Sequence, residues 1–325
     1  MIMFRSRQAV VVAVFGLVSS ASPMRAAEPE PAVPAHAKVE VVARGLDSPR
    51  GLAFGPRGEL YIAEGGRGGR GPCRADAGRR VCSGRSGAIT VAGFGRQWRV
   101  EAGLPSLASP AGAYALGPSD VTVTAEGDPV HTVRLGGGPA LRSAPERAGM
   151  ARLNRHGAAL ADLGAQQTPA DPVAVLATGQ GYLIVDAAGD ALIRVGRRGR
   201  VQTIATLPRR TPATEATSVA EGPDGAYYVG ERAGREGRIW RIEPGRAPRV
   251  YASGLRGVID LAWSPSGDLY VLDGTDLLRL GRRGTRTVVT AGLTAPGGLA
   301  LRGRFAYVST CATCGGTGAV LRIRL

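Results

Sequence analysis

The sequence predicts an all-β chain folded as a six-bladed β-propeller, closed by an N-terminal strand that completes the last blade. Three observations carry that expectation. A two-strand unit with a Gly-containing turn recurs along the chain: G-L-D-S-P-R-G-L-A-F-G-P-R-G-E-L-Y-I-A-E (Gly45 to Glu64), G-L-R-G-V-I-D-L-A-W-S-P-S-G-D-L-Y-V-L-D (Gly254 to Asp273) and G-L-T-A-P-G-G-L-A-L-R-G-R-F-A-Y-V-S (Gly292 to Ser309). Self-similarity of this size marks a propeller blade. Strands run into a Gly-Leu junction at Val39 to Leu46, Trp98 to Leu104, Arg249 to Leu255 and Thr287 to Leu293, and weaker copies end at Leu163 and Leu207, which makes six junctions and hence six blades. Apolar residues alternate with period two, and no stretch sustains a helical period.

Taken in order, blade one runs from Leu46 to about Gly103 with a long insertion from Gly65 to Ser86. Blade two, from Leu104 to about Leu163, carries P-S-D-V-T-V (Pro118 to Val123) and a Gly/Ala/Arg loop, Gly136 to Ala148. Blade three is the cleanest hairpin, G-Y-L-I-V-D (Gly181 to Asp186) followed by Leu192 to Val201. Blade four pairs A-Y-Y-V-G-E (Ala226 to Glu231) with R-I-W-R-I (Arg238 to Ile242), and blade five joins Gly254 to Asp273 with Leu277 to Arg286. Blade six stops one strand short at Leu325. The N-terminal copy, Val39 to Ala43, supplies the missing strand and removes an edge that would otherwise aggregate. A β-sandwich would leave the six similar junctions unexplained.

Residues 1–27 read as a signal peptide: Arg5 and Arg7 precede an apolar run, Ala9 to Val18, and small residues lie at Ala26 and Ala27. The run is short for a membrane span. Residues 28–38 are a Pro-rich linker, and residues 39–325 are the propeller. Export predicts a secreted or cell-envelope protein. Loss of the leader removes three arginines and no acids, lowering the formal charge from +15 to +12. Lys38 is the sole lysine and Asn154 the sole asparagine, a skew that high-GC coding produces. That origin accounts for the basic pI more simply than a polyanionic partner does. Export, the 5% aromatic content and the absence of a binding motif disfavour nucleic acid.

In a four-stranded blade, one face of the disc collects the junctions and the loops after each second strand. On that face the second strands end with Glu64, Asp186, Glu231 and Asp273, and the junctions add Asp120 and Asp260. Six carboxylates around one channel mouth are a candidate site for Ca²⁺ or Mg²⁺, which take several oxygen ligands. The plainer reading is that they bind channel waters or cap backbone N–H groups. The same face carries Cys73 and Cys82 in blade one and Cys311 and Cys314 in blade six, which in an exported chain imply disulfides. Local pairing is the first choice, each bridge contributing about 2 to 3 kcal/mol. Cross-pairing would staple the ring seam instead, and a zinc site is the third option, with poor spacing between Cys73 and Cys82.

The opposite face collects the basic turns Gly196 to Arg200 and Gly281 to Gly284, with Arg57, Arg246 and Arg249. Solvated turn tips are the simpler account; an anionic envelope polymer is the functional one. His36, His131 and His156 have no plausible nucleophile nearby, which disfavours a Ser-His-Asp hydrolase, and no Gly-rich phosphate loop is present.

Taken together, Gly45 to Gly66, P-S-D-V (Pro118 to Val121), V-D-A-A-G-D-A-L-I-R-V (Val185 to Val195), E-G-P-D-G-A-Y-Y-V-G-E (Glu221 to Glu231) and T-G-A-V-L-R-I (Thr317 to Ile323) resemble the ScyD/ScyE family. These are secreted propellers named after scytonemin pigment gene clusters and related in architecture to the NHL and gluconolactonase-like six-bladed propellers. The resemblance covers Val39 to Leu325 and implies a six-bladed ring and export, but no reaction. The chain departs from the family at Gln166 to Pro172, at Glu231 to Arg238, and at Asp190, where Asn is common. Metal-dependent lactonases of this architecture use carboxylates and an Asn at the channel mouth, and a chain with one Asn departs from that pattern too. The expectation is a secreted monomer that binds an unknown small molecule or protein at its acidic face. The alternatives are a metal-dependent lactonase or esterase at the channel mouth, and an envelope scaffold held through the basic face.

Overall fold

A strand held between two neighbouring sheets must be apolar on both faces, and Gly181–Asp186 reads that way: every residue in it is buried. In the computed structural model the described residues are 39–325, without 77, 136–151, 156–157, 167–169, 211–213, 235 and 282–283. The expected leader and linker, His36, His156 and the Gly136 to Ala148 loop lie outside them. The described residues form six antiparallel sheets, one per blade.

The chain begins with β1 (Val39–Leu46) and enters blade one through β2 (Pro49–Phe54), β3 (Leu60–Glu64), β4 (Cys73–Asp76), β5 (Arg79–Gly93) and β6 (Arg96–Ala108). Blade two is β7 (Pro118–Val123), β8 (Pro129–Val133), β9 (Arg152–Arg155) and β10 (Ala158–Asp162), followed by the helical turn α1 (Leu163–Gln166). Blade three is β11 (Pro172–Thr178), β12 (Gly181–Asp186), β13 (Ala191–Val195) and β14 (Val201–Thr206). Blade four is β15 (Glu215–Glu221), β16 (Tyr227–Arg232), β17 (Gly237–Ile242) and β18 (Arg249–Leu255). Blade five is β19 (Val258–Trp263), β20 (Leu269–Asp273), β21 (Asp276–Leu280) and β22 (Arg286–Thr290), and blade six is β23 (Gly298–Arg302), β24 (Phe305–Thr310) and β25 (Gly318–Arg324).

The last sheet runs β1-β25-β24-β23, so the N-terminal strand is the outer strand of the final blade, as expected. Its register pairs Val39 with Ile323 and Leu46 with Gly318. The first strands of successive blades touch in turn, β2 to β7, β7 to β11, β11 to β15, β15 to β19, β19 to β23 and β23 back to β2, and the ring is closed.

The core is divided into layers between blades. Along β12, Tyr182 and Ile184 pack toward blade two, while Leu183 and Val185 pack toward blade four. The period-two alternation in the sequence therefore separates two apolar layers rather than core from solvent. Each fully buried Leu or Ile contributes about 2 to 3 kcal/mol. Because each layer is shared, a blade loses one face of its core when a neighbour is removed.

The Gly-Leu junction has a physical cause at both its positions. Gly45 and Gly254 adopt φ of +68° and +70°, a left-handed turn that costs other residues about 1 to 2 kcal/mol. The following Leu46 and Leu255 are fully buried, driven inward by that turn. At the weaker junctions Leu163 and Leu207 take the same buried role without the glycine.

Blade one differs from its expected outline. Part of the insertion is strand: β5 extends back to Arg79 and pairs with β4 on one side and with Leu104 to Ala108 of β6 on the other. Leu104 consequently lies inside β6, and the chain passes to blade two only after Ala108. Cys73 and Cys82 are directly opposed in the β4–β5 hairpin and form one disulfide; Cys311 and Cys314 form the second, so both bridges are local. Among the described residues no helix is long and apolar enough to cross a membrane.

Candidate functional site

The four acids at or next to the ends of second strands are buried and committed to the backbone or to neighbouring side chains. Glu64 accepts the Asp47 N–H at 2.6 Å and is forked by Arg99 at 3.0 and 3.1 Å. Asp186 accepts the N–H of Asp171 at 2.6 Å, and Asp273 that of Gly257 at 2.7 Å. In each case the acid holds the segment where the chain enters the same blade's first strand. Glu231 instead accepts the Trp240 indole N–H at 2.7 Å and pairs with Arg210. Burial pushes Asp186 above its usual range despite its backbone hydrogen bonds.

Asp120 and Asp260 differ from these four. They occupy equivalent bulged positions in β7 and β19, on opposite sides of a six-membered ring, and both line a cavity of about 140 Å³ at the channel mouth. All six blades contribute to its wall, through Gly51, Asp120, Ala174, Thr217, Asp260 and Gly297. Asp120 accepts the N–H of Val121 at 2.8 Å and that of Val175 in the next blade at 2.7 Å. Asp260 does the same with Leu261 at 2.8 Å and Leu299 at 2.7 Å. Gly51 clears the space for this arrangement: a Cβ there would lie 1.8 Å from the Asp120 Oδ1.

Burial pushes the Asp260 carboxyl up to about 7. Asp120 is raised well above the usual range by burial and by the facing charge of Asp260. Unfolded Asp releases its proton near about 3.9, so the folded state holds an extra proton between that value and about 7, and stability falls as pH rises through this window. Asp260→Asn is therefore expected to gain stability relative to the native chain from about pH 5 to about pH 8, as read by thermal denaturation. His131, buried and lowered to about 4, acts in the opposite sense but is common to both proteins and cancels. A difference that does not change with pH would mean that Asp260 titrates normally.

The sequence reading missed three arginines at the same mouth: Arg50 at the start of β2, Arg134 just after β8, and Arg232 at the end of β16. Arg134 forks Asp171 at 2.9 and 2.5 Å and lies 3.7 Å from Glu215, which also pairs with Arg232. Arg50 donates to the Ala115 carbonyl at 2.6 Å, and its Nε has no hydrogen-bond partner. Among the described residues Arg50 has no ion pair. Burial, reinforced by Arg134 and Arg232, lowers its pKa to about 10. Arg134 and Arg232 are thus paired with Asp171 and Glu215, whereas Arg50 is held by the Ala115 carbonyl alone.

Elsewhere the expected features are quieter. His131 is fully buried, 3.9 Å from Glu101, with its other ring nitrogen 3.4 Å from Asn154. On the turn-bearing face, Arg57 pairs with Glu59 and Arg246 with Glu243. Among the described residues no group of three or more His, Cys, Asp and Glu side chains gathers at metal-binding distance.

No family model matches the chain, and no curated protein is similar to it in sequence. Solved structures are similar in fold. A proposed gluconolactonase aligns with TM-score 0.58 and 12% identity over 89% of this chain and 93% of its own. The virginiamycin B lyase of Staphylococcus aureus aligns with TM-score 0.52 and 14% identity over 89% of this chain and 100% of its own. An auxiliary nutrient binding protein of Bacteroides thetaiotaomicron aligns with TM-score 0.55 and 11% identity over 88% of this chain and 72% of its own. The likeness is one of fold. Gluconolactonase-like and virginiamycin B lyase propellers are thus the structural neighbours of this ring.

Proposed function

We propose that this is an exported, ScyD/ScyE-like propeller that binds a small anionic molecule at its channel mouth. One observation carries the reading: Arg50, a half-buried guanidinium without an ion pair among the described residues, facing Arg134 and Arg232 across a polar cavity. A buried cation repelled by two others is stabilised by an incoming anion, and the planar guanidinium fork suits carboxylate or phosphate oxygens. The two disulfides support an oxidising compartment. The fold shared with a protein described as nutrient-binding is compatible with a binding role.

Acetate and phosphate are the first probes. Each is expected to raise the melting temperature of the native protein, and Arg50→Ala should abolish that shift while lowering the unliganded melting temperature by no more than the lost Ala115 hydrogen bond accounts for. An unshifted native protein across both anions would overturn the reading.

A second reading, a lactonase holding Ca²⁺ or Mg²⁺, is favoured by the presence of Asp120 and Asp260 in the same cavity. The donors do not fit a resident Ca²⁺ well: of the six acids only Asp120 and Asp260 line the cavity, and two carboxylates that each already accept two backbone N–H groups fall short of the roughly six to eight oxygens this ion takes. Under the anion reading, calcium titration leaves the melting temperature unchanged.

A further inference from the structure

The cavity is lined by ionisable groups of opposite kind, the Arg50 guanidinium and the carboxyls of Asp120 and Asp260. At the rim stands Arg50, without an ion pair among the described residues. Within the ring stand Asp120 and Asp260, each hydrogen-bonded only to backbone N–H groups and likewise without an ion pair among the described residues. An anion at the rim satisfies half of this arrangement. The carboxylate pair asks for a cation or a strong hydrogen-bond donor between its members.

We propose that the ligand is a compact zwitterion, an amino acid whose carboxylate meets Arg50 and whose ammonium sits between Asp120 and Asp260. The inference rests on the anion reading above and adds the second end of the ligand. A cavity of about 140 Å³ admits a molecule of a few heavy atoms and not a peptide. Apolar wall residues Val173, Ile259 and Ala312 leave a place for a short aliphatic side chain. Hydroxyl groups of Ser119, Thr217 and Thr313 line the same space. The three ammonium protons match two carboxylates and one hydroxyl. Bringing a cation to the pair also removes the repulsion between its members, an interaction that a bare anion cannot supply.

Isothermal titration of the native protein with glycine, L-alanine, β-alanine, acetate and ethylammonium tests this. A zwitterion is expected to bind at least tenfold more tightly than either acetate or ethylammonium. Asp260→Asn should weaken zwitterion binding at least tenfold and leave acetate binding within twofold, whereas Arg50→Ala weakens both. Acetate binding as tightly as every amino acid would overturn the zwitterion and leave the anion pocket standing. Binding of neither acetate nor any amino acid would overturn both, and ethylammonium binding as tightly as alanine would overturn the role of Arg50. The native-protein series decides the question even if Asp260→Asn fails to fold.

Discussion

A chain lacking Val39–Leu46 is expected to give no cooperatively folded monomer. That strand is the outer member of blade six and pairs with β25 along its length, from Val39 opposite Ile323 to Leu46 opposite Gly318. Its removal exposes the β25 edge, a row of unpaired backbone groups ready to template aggregation. It also withdraws Ala43 and Leu46 from the apolar layer between blades six and one, where both are buried. Gel filtration and thermal denaturation check this: aggregation or the loss of a sharp transition is expected. A monomer melting within a few degrees of the native protein would mean that the remaining strands suffice.

Glu231→Ala is expected to cost about 3 to 5 kcal/mol, which corresponds to a fall in melting temperature of roughly 10 °C. Glu231 is 1% exposed and its partner Arg210 only 15%, so water replaces the lost contact poorly. Truncation leaves Arg210 only its weaker contacts with Glu236, the carbonyl at 3.1 Å and the carboxylate at 3.7 Å, and strands the Trp240 indole N–H, which donates to the same Glu231 carboxylate. Glu231→Gln keeps one acceptor and should cost less than the alanine. Equal melting temperatures for the native and alanine proteins would remove Glu231 from the structural framework and restore its candidacy as a ligand.

The ring was legible in the sequence because its physics is local and repeated. A Gly that turns left-handed, a Leu driven inward and two short apolar strands mark each clear blade, and the missing last strand pointed to its own replacement. Blade one was harder to read, since Arg79 to Ser86 is rich in Arg and Ser and Leu104 to Ala108 contains Pro105, yet they pair as strands beside the Cys73–Cys82 hairpin. The acids were found by position, but position did not disclose their roles. Whether a carboxylate at the end of a strand caps an N–H or faces a cavity depends on the next blade, and only Asp120 and Asp260 line the cavity. Arg50, Arg134 and Arg232 gave no signal among 41 basic residues, standing in P-R-G, V-R-L and E-R-A contexts at the ends of three strands that only ring closure brings together.

The pairing of β1 with β25 also sets the order of events during synthesis. Val39–Leu46 is made before every other strand of the ring and Gly318–Arg324 after them, so the growing ring waits as an open arc with a partnerless strand at its start. Blades in the middle gain their neighbours as they emerge, but the seam forms only once β25 has been made. Newly made rings therefore pass through a stage in which both edges of the seam are adhesive, and any factor that shields them acts in the interval between the synthesis of β25 and closure.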